Sequence, residues 1–355
     1  MPITYSKPDL MPETKKPSIL IIYTGGTIGM MQDQETGSLK PFRFDNILDE
    51  VPELRKFGFN LKTHSFNPPL DSSNVSPDTW IKVAGIIEQN YDNFEGFIVL
   101  HGTDTMAYSA SALSFMLENL GKPVIFTGSQ LPIGSLRTDA KENLISAIDI
   151  AAATRGGMPV VPEVGIYFEN RLYRGNRTTK NNTEDFNAFI SGNYPPLAES
   201  GVHIRYNYPA IRYPEGKLPL IVHRNLDNDL AILKIFPGFS RAVAESVFHT
   251  EGLRALILES FGAGNAPEEP WFIYMVKDAL NRGIIVLNIT QCRTGSVEMG
   301  MYETSRKLLD AGVVNGRDMT TEAAVTKLMY LTGVSNDRDW IIRHLSVSLR
   351  GEITV

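Results

Sequence analysis

Threonine and aspartate side chains follow two apolar runs of the sequence, each within a glycine-containing turn. The run SILIIY leads into TGGTIG at 24–29, which carries Thr27. The run GFIVL leads into HGTDT at 101–105, which carries Thr103 and Asp104. A hydroxyl becomes a nucleophile when an adjacent base activates it, and backbone N–H groups in a tight turn can stabilise a developing oxyanion. These residue types therefore offer nucleophilic chemistry on a small ligand.

Each turn also has a purely structural interpretation. Glycine marks turns far more often than sites, and the spacing in 24–29 meets neither the dinucleotide-binding nor the P-loop pattern. Asp104 or Thr105 is a suitable N-cap for a following helix. Two further polar clusters, DSSN at 71–74 and RGNRTTK at 174–180, resemble on their own a helix cap and a solvated charged loop. Only the combination of strand ends that each deliver a threonine suggests a shared site.

Short apolar runs that end in turn residues predict strands of a parallel sheet covered on both faces, and ligands bind beyond the carboxyl ends of such strands. Such strands are predicted at 19–23, 96–100, 123–126, 164–168, 230–235, 255–258 and 284–289, with a further one around 202–206. Helices are predicted at 77–91, 107–120, 140–153, 271–281, 304–311, 320–331 and 337–345. Residues 32–41 are expected to form a hairpin or flap, and 170–182 a long polar segment. The alternation predicts the α/β class.

The chain is predicted to form two α/β domains with mainly parallel sheets, a larger N-terminal and a smaller C-terminal domain. A length of 355 residues suits two domains, and the proline- and glycine-containing stretch 192–219 is typical of an interdomain connection. We therefore expect an N-terminal domain that carries the site over 1–210, a linker over 211–227 and a C-terminal domain over 228–355.

Composition and charge favour a small-molecule partner. The chain is 43% hydrophobic and 21% charged, with a formal net charge of −6 and a pI of about 5.6. That charge gives no basic field for nucleic acid or for an anionic membrane, and no apolar run approaches the roughly 18 residues of a membrane-spanning helix. Residues 1–17 contain four prolines and lack the apolar core of a signal peptide, so we expect a cytoplasmic protein.

Cysteine and histidine usage predicts neither a disulfide nor a metal site. The single cysteine, Cys292, fits a reducing compartment and is expected to be a buried, small apolar residue. The six histidines show no H-E-x-x-H pattern and no close pair at ligand spacing, so we expect no metal and no cofactor. His101, the only histidine in a motif, is expected to be a packed, hydrogen-bonded structural residue.

The two turns, taken in order, resemble the two signature motifs of the bacterial-type L-asparaginase family. The resemblance extends over nearly the whole chain. Four further stretches are similar to the cytoplasmic, type I branch: LDSS at 70–73, GSQ at 128–130, RLYRGNRTTK at 171–180 and GNAP at 264–267. The resemblance implies sites at the subunit contacts of a homodimer or tetramer. It also implies hydrolysis of L-asparagine to L-aspartate and ammonia without a metal.

By this resemblance Thr27 is the primary nucleophile, and it forms a β-aspartyl ester that water then hydrolyses. Thr103, Asp104 and Lys180 form a second constellation. In it the Asp104–Lys180 pair holds charge close to Thr103, and burial lets the lysine handle a proton. Backbone N–H groups near both threonines are the expected oxyanion donors.

The resemblance also assigns the groups that hold the amino-acid head of the substrate. The loop that carries Ser72 and Ser73 is expected to bind the α-carboxylate. Thr103 and Asp104 are expected to contact the substrate as well, with Asp104, helped by Asp71, on its α-ammonium group.

One departure from the family concerns the base. Family members commonly carry a tyrosine on the hairpin after the first signature, whereas residues 35–39 here read ETGSL. Either Ser38 takes its place, or another hydroxyl reaches the site. Tyr302, in a glycine-containing loop of the C-terminal domain, is the candidate that a neighbouring subunit would bring to Thr27. The alternative is a tyrosine packed at the domain interface, with its hydroxyl bonded to backbone or water.

Two other functions are compatible with parts of the sequence. An amidase component of a tRNA-dependent amidotransferase shares the scaffold, but such proteins carry an additional domain before the first signature, and 23 residues precede Thr24 here. A non-catalytic small-ligand-binding module would use the glycine-rich turns for anion contacts alone. The joint presence of Thr27, Thr103, Asp104 and Lys180 favours the enzyme.

Overall fold

The computed structural model describes residues 16–32, 39–41, 51–216 and 218–354. Its strands are, in chain order, β1 (Ser18–Gly25), β2 (Met30–Gln32), β3 (Leu39–Pro41), β4 (Asn60–Leu70), β5 (Gly96–Leu100), β6 (Leu117–Glu118), β7 (Val124–Thr127), β8 (Thr154–Arg155), β9 (Met158–Pro159), β10 (Val164–Phe168), β11 (Arg171–Arg174), β12 (Thr179–Lys180), β13 (Phe189–Ile190), β14 (Ala198–Ser200), β15 (Ile204–Tyr206), β16 (Ile221–Val222), β17 (Leu230–Lys234), β18 (Ala255–Ser260), β19 (Ile285–Thr290) and β20 (Val314–Asn315). Its α-helices are α1 (Pro77–Asn90), α2 (Met106–Met116), α3 (Ala140–Ala152), α4 (Arg241–Phe248), α5 (Pro270–Asn281), α6 (Glu303–Ala311), α7 (Thr321–Val334) and α8 (Arg338–Leu345). The predicted α/β class is confirmed.

Eight strands form the larger sheet, in the order β15-β14-β11-β10-β7-β5-β1-β4. The five strands from β10 to β4 are parallel, and the other three continue the sheet as antiparallel neighbours. Alternate residues of β1 face opposite sides. Leu20 and Ile22 pack with α1 and α2, whereas Ile19 and Ile21 pack with α3. Because both faces are buried, this strand is a continuous apolar run.

The C-terminal domain is built on a second, four-stranded parallel sheet, in the order β17-β18-β19-β20. Helices α4, α5 and α6 pack on one face, and α7 and α8 pack on the other. Phe115 of α2 is buried in the apolar core that includes α7. The two sheets are therefore joined by a seam between α2, which follows the second signature turn, and α7.

The predicted helices and strands are present, with ends that differ by a few residues. Several elements were not predicted from sequence, among them β4 and α4. β4 lies at the edge of the larger sheet, alternates exposed and half-buried residues, and contains Pro68 and Pro69, so it looks like a loop. α4 is short and buries only Ala244 and Phe248.

Two expectations about single segments were wrong. The stretch 170–182, predicted to be a long polar segment, contains β11 and β12, and ion pairs bury two of its arginines, Arg174 and Arg177. Cys292, expected to be buried, is exposed in the turn after β19, where its backbone N–H donates to Thr290 Oγ1.

The expected hairpin after the first signature is present in outline. β2 and β3 pair in antiparallel fashion. The residues between them, which include Ser38, lie outside the described residues, so the prediction about Ser38 is not tested. None of the helices in the described ranges is long and apolar enough to cross a membrane.

Candidate active site

The two threonine-bearing turns leave the larger sheet side by side. β1 and β5 are parallel neighbours, with Tyr23 opposite Leu100. Thr24, one of the residues of the first signature, is buried, and its Oγ1 donates a 2.9 Å hydrogen bond to the carbonyl oxygen of Leu100. Parallel neighbours end at the same edge of a sheet, where ligands bind. Thr27 and Thr103 therefore follow strand ends at one edge.

Glycines let three turns touch through their backbones. A Cβ at Gly26 would lie 2.5 Å from the Gly102 nitrogen, and a Cβ at Gly102 would lie 2.5 Å from Ser72 Oγ. Gly26 also has a φ of +91°, a conformation that residues with side chains rarely adopt. The turns of Thr27 and Thr103 thus meet backbone to backbone, and the loop of Ser72 packs its side chain against Gly102.

Thr27 opens a short 3-10 turn, Thr27–Gly29, and is partly exposed. Beneath it the Tyr23 ring packs so close to Gly29 that a Cβ there would lie 2.1 Å from the phenol oxygen. Burial raises the pKa of Tyr23 to about 12. Its phenol is therefore neutral at physiological pH, and its ring supports the turn. Tyr23 was assigned no role from sequence, although it ends the apolar run next to the signature.

Lys180 links Thr103 to Asp104. Its Nζ donates to Thr103 Oγ1 at 2.9 Å and to Asp104 Oδ1 at 2.5 Å. The Lys180 side chain is 17% exposed, whereas the Asp104 side chain is 64% exposed and open to a ligand from solvent. An amine that is held on a hydroxyl can exchange a proton with whatever that hydroxyl contacts. The structure thus brings together the three predicted members of the second constellation.

A two-stranded ribbon delivers Lys180 to Thr103. β12 pairs with β13, with Lys180 opposite Phe189. Phe189 is buried and meets Phe168 of β10 edge to face, which anchors the ribbon on the core. On the other side of the ribbon, Thr179 Oγ1 donates a 2.6 Å hydrogen bond to Glu322 Oε1 of α7. The N-terminal domain therefore positions Lys180 through its partner Phe189, and the C-terminal domain positions the preceding residue, Thr179, through Glu322.

Gln130 lies beside the same hydroxyl, although it was assigned no role from sequence. Its Oε1 is 3.5 Å from Thr103 Oγ1, and its Nε2 donates to the carbonyl oxygen of Asp185 at 3.0 Å. The Asp139 carboxylate accepts the backbone N–H of Gln130 at 3.0 Å. Gln130 follows β7, the neighbour of β5. Its position could have indicated a role, because Gln130 follows the end of a third parallel strand, as the signature turns follow the ends of β1 and β5.

His101 lies next to the Thr103 turn and is a packed structural residue, as predicted. Its Nδ1–H donates to the Gly102 carbonyl oxygen at 2.7 Å, and its Nε2 accepts from Ser109 Oγ at 2.9 Å. Trp80 Nε1 donates in turn to Ser109 Oγ at 2.9 Å. Burial lowers the pKa of His101 to about 4. The imidazole is therefore neutral, in the tautomer that the carbonyl partner requires.

The predicted substrate loop is held by its own aspartate. Asp71 Oδ1 accepts hydrogen bonds from Ser73 N at 2.9 Å and from Ser73 Oγ at 2.8 Å, and these lower the pKa of Asp71. Thr105 Oγ1 donates to the Ser72 carbonyl oxygen at 2.7 Å. Ser72 is buried against Gly102. Asp71, Ser72 and Ser73 thus lie beside the second signature turn, with Asp71 also shaping the loop.

Tyr302 immediately precedes α6 in the C-terminal domain and is 52% exposed. Its carbonyl oxygen accepts hydrogen bonds from Ser305 Oγ at 3.0 Å and from Arg306 N at 2.9 Å. Within the described part of the chain, its hydrogen bonds lie at the start of its own helix and do not reach Thr27. A role for Tyr302 at the Thr27 of a neighbouring copy stays a prediction.

The edge of the sheet collects two hydroxyls, an amine and two carboxylates. Residues 16–32, 39–41, 51–216 and 218–354 contain no group of three or more His, Cys, Asp or Glu that could hold a metal ion. Hydroxyls beside an amine and backbone N–H groups suit acyl transfer, and carboxylates suit a cationic head group. A two-domain α/β fold with such an edge defines a class of amide hydrolases.

The chain belongs to the asparaginase family. The family model described as "Asparaginase, N-terminal" matches residues 18–212, and the model described as "Glutaminase/Asparaginase C-terminal domain" matches residues 229–344. The family resemblance inferred from the signature motifs is thereby confirmed.

Individual relatives agree with the family models. The chain is 46% identical to "L-asparaginase 1" of Escherichia coli (strain K12) over 342 residues, which cover 96% of this chain and 99% of that protein. The crystal structure of L-asparaginase I from Vibrio cholerae O1 biovar eltor aligns with a TM-score of 0.86 at 40% identity, covering 96% of this chain and 100% of that chain. A component of the glutamyl-tRNA(Gln) amidotransferase of Pyrococcus horikoshii is 33% identical over 95% of this chain and 77% of that protein.

Proposed function

We propose that this chain hydrolyses L-asparagine to L-aspartate and ammonia, with Thr27 as the nucleophile. The observation that carries the proposal is the Lys180 amine, held on Thr103 Oγ1 at 2.9 Å and on Asp104 Oδ1 at 2.5 Å, at the sheet edge from which Thr27 emerges. The L-asparaginase names of the Escherichia coli and Vibrio cholerae relatives support the reaction and the substrate.

The first half of the reaction makes an ester and releases ammonia. Thr27 Oγ attacks the side-chain amide carbon of asparagine, and its proton passes to a base. The carbonyl oxygen becomes an oxyanion, which backbone N–H groups of the glycine turns stabilise. The C–N bond then breaks, the leaving nitrogen takes up a proton, and a β-aspartyl ester remains on Thr27. We assign the base to the hydroxyl that replaces the hairpin tyrosine, with Tyr302 of a neighbouring copy as the candidate.

The second half releases aspartate. Water adds to the ester carbon, and the Thr103–Lys180 pair takes its proton, because the amine already lies on the Thr103 hydroxyl. The bond between the ester carbon and Thr27 Oγ breaks, and Thr27 recovers its proton. The products are aspartate and the free enzyme.

The head of the substrate is held by charge. The exposed Asp104 carboxylate pairs with the α-ammonium group, and the lowered pKa of Asp71 keeps a second negative charge at the neighbouring loop. The loop of Ser72 and Ser73 receives the α-carboxylate. Since the hydroxyl and the backbone N–H of Ser73 both already donate to Asp71, Ser72 is the better donor to a carboxylate within this loop.

Release of ammonia from L-asparagine tests the proposal. The purified chain should form ammonia and aspartate in equal amounts, and Thr27→Ala should form neither at a comparable rate. Binding of asparagine without ammonia release would support the non-catalytic alternative. Ammonia release that depends on added tRNA would support the amidotransferase alternative, for which the family offers a less similar relative.

The arrangement of the chain around this site completes the proposal. Domain limits at 1–210 and 228–355, with a linker over 211–227, place the signature turns in the first domain and Tyr302 in the second. Self-association as a dimer or tetramer would let one copy contribute Tyr302 to another. A cytoplasmic location follows from the resemblance to the type I branch.

A further inference from the structure

A carboxyl group of the C-terminal domain reaches the strand that carries Lys180. Glu322 lies in the first turn of α7 and is 7% exposed. Its Oε1 accepts a 2.6 Å hydrogen bond from Thr179 Oγ1. Thr179 is the residue before Lys180 and forms the other half of the two-residue strand β12. Glu322 therefore connects the second domain to the residue before the amine, and Arg293, which donates to Asn181 Oδ1, connects it to the residue after the amine.

We propose that Glu322 is a positioning residue for the hydrolysis of asparagine, which anchors Thr179 and thereby sets the Lys180 amine against Thr103 and Asp104. The inference rests on the proposed function of Lys180. Glu322 itself touches neither Thr103 nor Asp104 in the described hydrogen bonds, so it acts through the ribbon.

The ribbon needs such an anchor because it is short. β12 and β13 pair over two residues each, so few backbone hydrogen bonds fix their direction. A lysine side chain has several rotatable bonds, and its amine is placed only as well as its backbone is held. The hydrogen bond from Thr179 Oγ1 to Glu322 Oε1, at 2.6 Å, is short for an O–H···O bond. The Thr179–Glu322 bond supplies a fixed point one residue from the amine.

The seam around Glu322 is itself well defined. One turn further along α7, Thr326 Oγ1 lies 2.8 Å from Ser111 Oγ of α2, and both hydroxyls are buried. α2 begins directly after the turn that carries Thr103 and Asp104. The same helix pair therefore fixes the Thr103 turn and, through Glu322, the Lys180 ribbon relative to each other.

The titratable groups that face Glu322 are Glu259 of β18 and Tyr108 of α2. Glu259 accepts from Thr321 Oγ1 at 2.6 Å and pairs with the exposed Lys234 at 3.5 Å. Burial, the largest cause, raises the pKa of Glu322, and the Glu259 carboxylate adds to this. Burial, the largest cause, raises the pKa of Tyr108 to about 12.

The second carboxyl oxygen, Oε2 of Glu322, is buried and forms no hydrogen bond with any described residue. A neutral acid with its proton on Oε2 fits that environment better than a carboxylate, since an unpaired buried charge is costly. The anchoring function thus needs an acceptor at Oε1 and no negative charge. Glutamine supplies the same acceptor.

The experiment compares variants of the full chain. Glu322→Ala should lower kcat for asparagine about tenfold or more while KM stays within about threefold, because a small displacement of a catalytic group has large effects on turnover. Glu322→Gln should keep kcat within about threefold. Thr179→Val removes the donor and should reproduce the loss, and the double variant should lose no more than either single variant.

Thr326→Val is the matched control, because it removes a buried hydroxyl that bonds to Ser111 of α2 and to the Glu322 carbonyl oxygen, and leaves the Glu322 side chain and the ribbon unchanged. It should keep its kcat near that of the wild type. Equal kcat values for Glu322→Ala and Thr326→Val, or losses that multiply in the double variant, would overturn the proposal. Circular dichroism verifies folding, and Thr179→Val carries the test if Glu322→Ala does not fold.

A second readout does not depend on turnover. Labelling of Lys180 by an amine-reactive acylating reagent, followed by peptide mass spectrometry, should be several-fold faster in Glu322→Ala and Thr179→Val than in the wild type or Thr326→Val. Unchanged labelling in both variants would refute the anchoring. A chain that releases no ammonia would contradict the proposed function, and this labelling would still decide the position of Lys180.

Discussion

Removal of the two site hydroxyls is expected to stop the reaction at different stages. Thr27→Ala lacks the nucleophile and forms no ester, whereas Thr103→Val keeps the nucleophile and loses the relay to Lys180. Each variant should lose at least on the order of a hundredfold in kcat. Mass spectrometry of the intact protein after addition of asparagine should detect a β-aspartyl adduct only where Thr27 is present. Near-wild-type turnover in either variant would contradict the assignment.

The missing hairpin tyrosine leads to a second prediction for single residues. If Tyr302 of a neighbouring copy serves Thr27, Tyr302→Phe should lower kcat by about ten- to a thousandfold, the range for a general acid–base group, with KM and folding nearly unchanged. Tyr274→Phe is the control, because Tyr274 is another exposed tyrosine of the C-terminal domain. Full kcat in Tyr302→Phe together with a loss in Ser38→Ala would assign the base to the hairpin.

At the scale of elements, His101 joins the end of β5 to α1 and α2 through Trp80 and Ser109. Its folded pKa of about 4 lies below the unfolded value of about 6.5. As the pH falls, the unfolded chain therefore binds a proton at His101 before the folded chain does. The free energy of unfolding has its full value above about pH 6.5 and decreases as the pH falls towards 4. The loss amounts to about 3 kcal/mol.

Denaturant unfolding at several pH values tests this effect of His101 on stability. The free energy of unfolding of the wild type should fall more steeply between pH 6.5 and 4 than that of His101→Gln. His249→Gln changes an exposed histidine and should leave the slope as it is in the wild type. Parallel curves for the wild type and His101→Gln would show that His101 does not carry the effect.

Strands that are buried on both faces were predictable from sequence. Elements whose polar side chains are buried by ion pairs with residues distant in sequence were not. β5 was predicted with its observed ends, because a continuous apolar run has few other uses. Taken on its own, the stretch 174–180 was interpreted as a solvated charged loop, because Arg174 and Arg177 look like surface residues. Both are buried, since Glu163 and Asp318 pair with them. Asp318 lies 141 positions beyond Arg177, a distance that no local pattern spans.

The site was predictable to a similar degree. Residues in the signature turns were found because hydroxyls and glycines follow strand ends. Gln130 and Glu322 were not assigned roles, because each is linked to the site by a hydrogen bond to a residue distant in sequence. Spacing along the chain carries no information about such bonds.

At the scale of the whole molecule, Asp318 of the C-terminal domain forms an ion pair with Arg177 of the N-terminal domain. Its Oδ2 pairs with Arg177 Nη1 at 2.7 Å and accepts from Thr354 Oγ1 at 2.5 Å. Asp318→Asn keeps the shape and leaves the buried guanidinium without its counterion. We expect a loss of about 3 kcal/mol or more in the free energy of unfolding.

The comparison for Asp318→Asn is a surface ion pair on α4. Glu245 pairs with Arg241 in an exposed position, so Glu245→Gln should change the free energy of unfolding by less than about 1 kcal/mol. Denaturant titration measures both variants. If Asp318→Asn lowered the free energy of unfolding no more than Glu245→Gln does, the Arg177–Asp318 ion pair would contribute little to stability.

The backbone contact between Gly26 and Gly102 also limits how the enzyme can be re-engineered. Because a side chain at Gly26 would strike main-chain atoms, no trimming of a neighbouring side chain could make room for it. The separation of the two signature turns is therefore a fixed dimension of the scaffold. Substitutions that adapt the site to another amide are better placed at its edge, at Gln130 and in the 182–185 loop that Gln130 contacts.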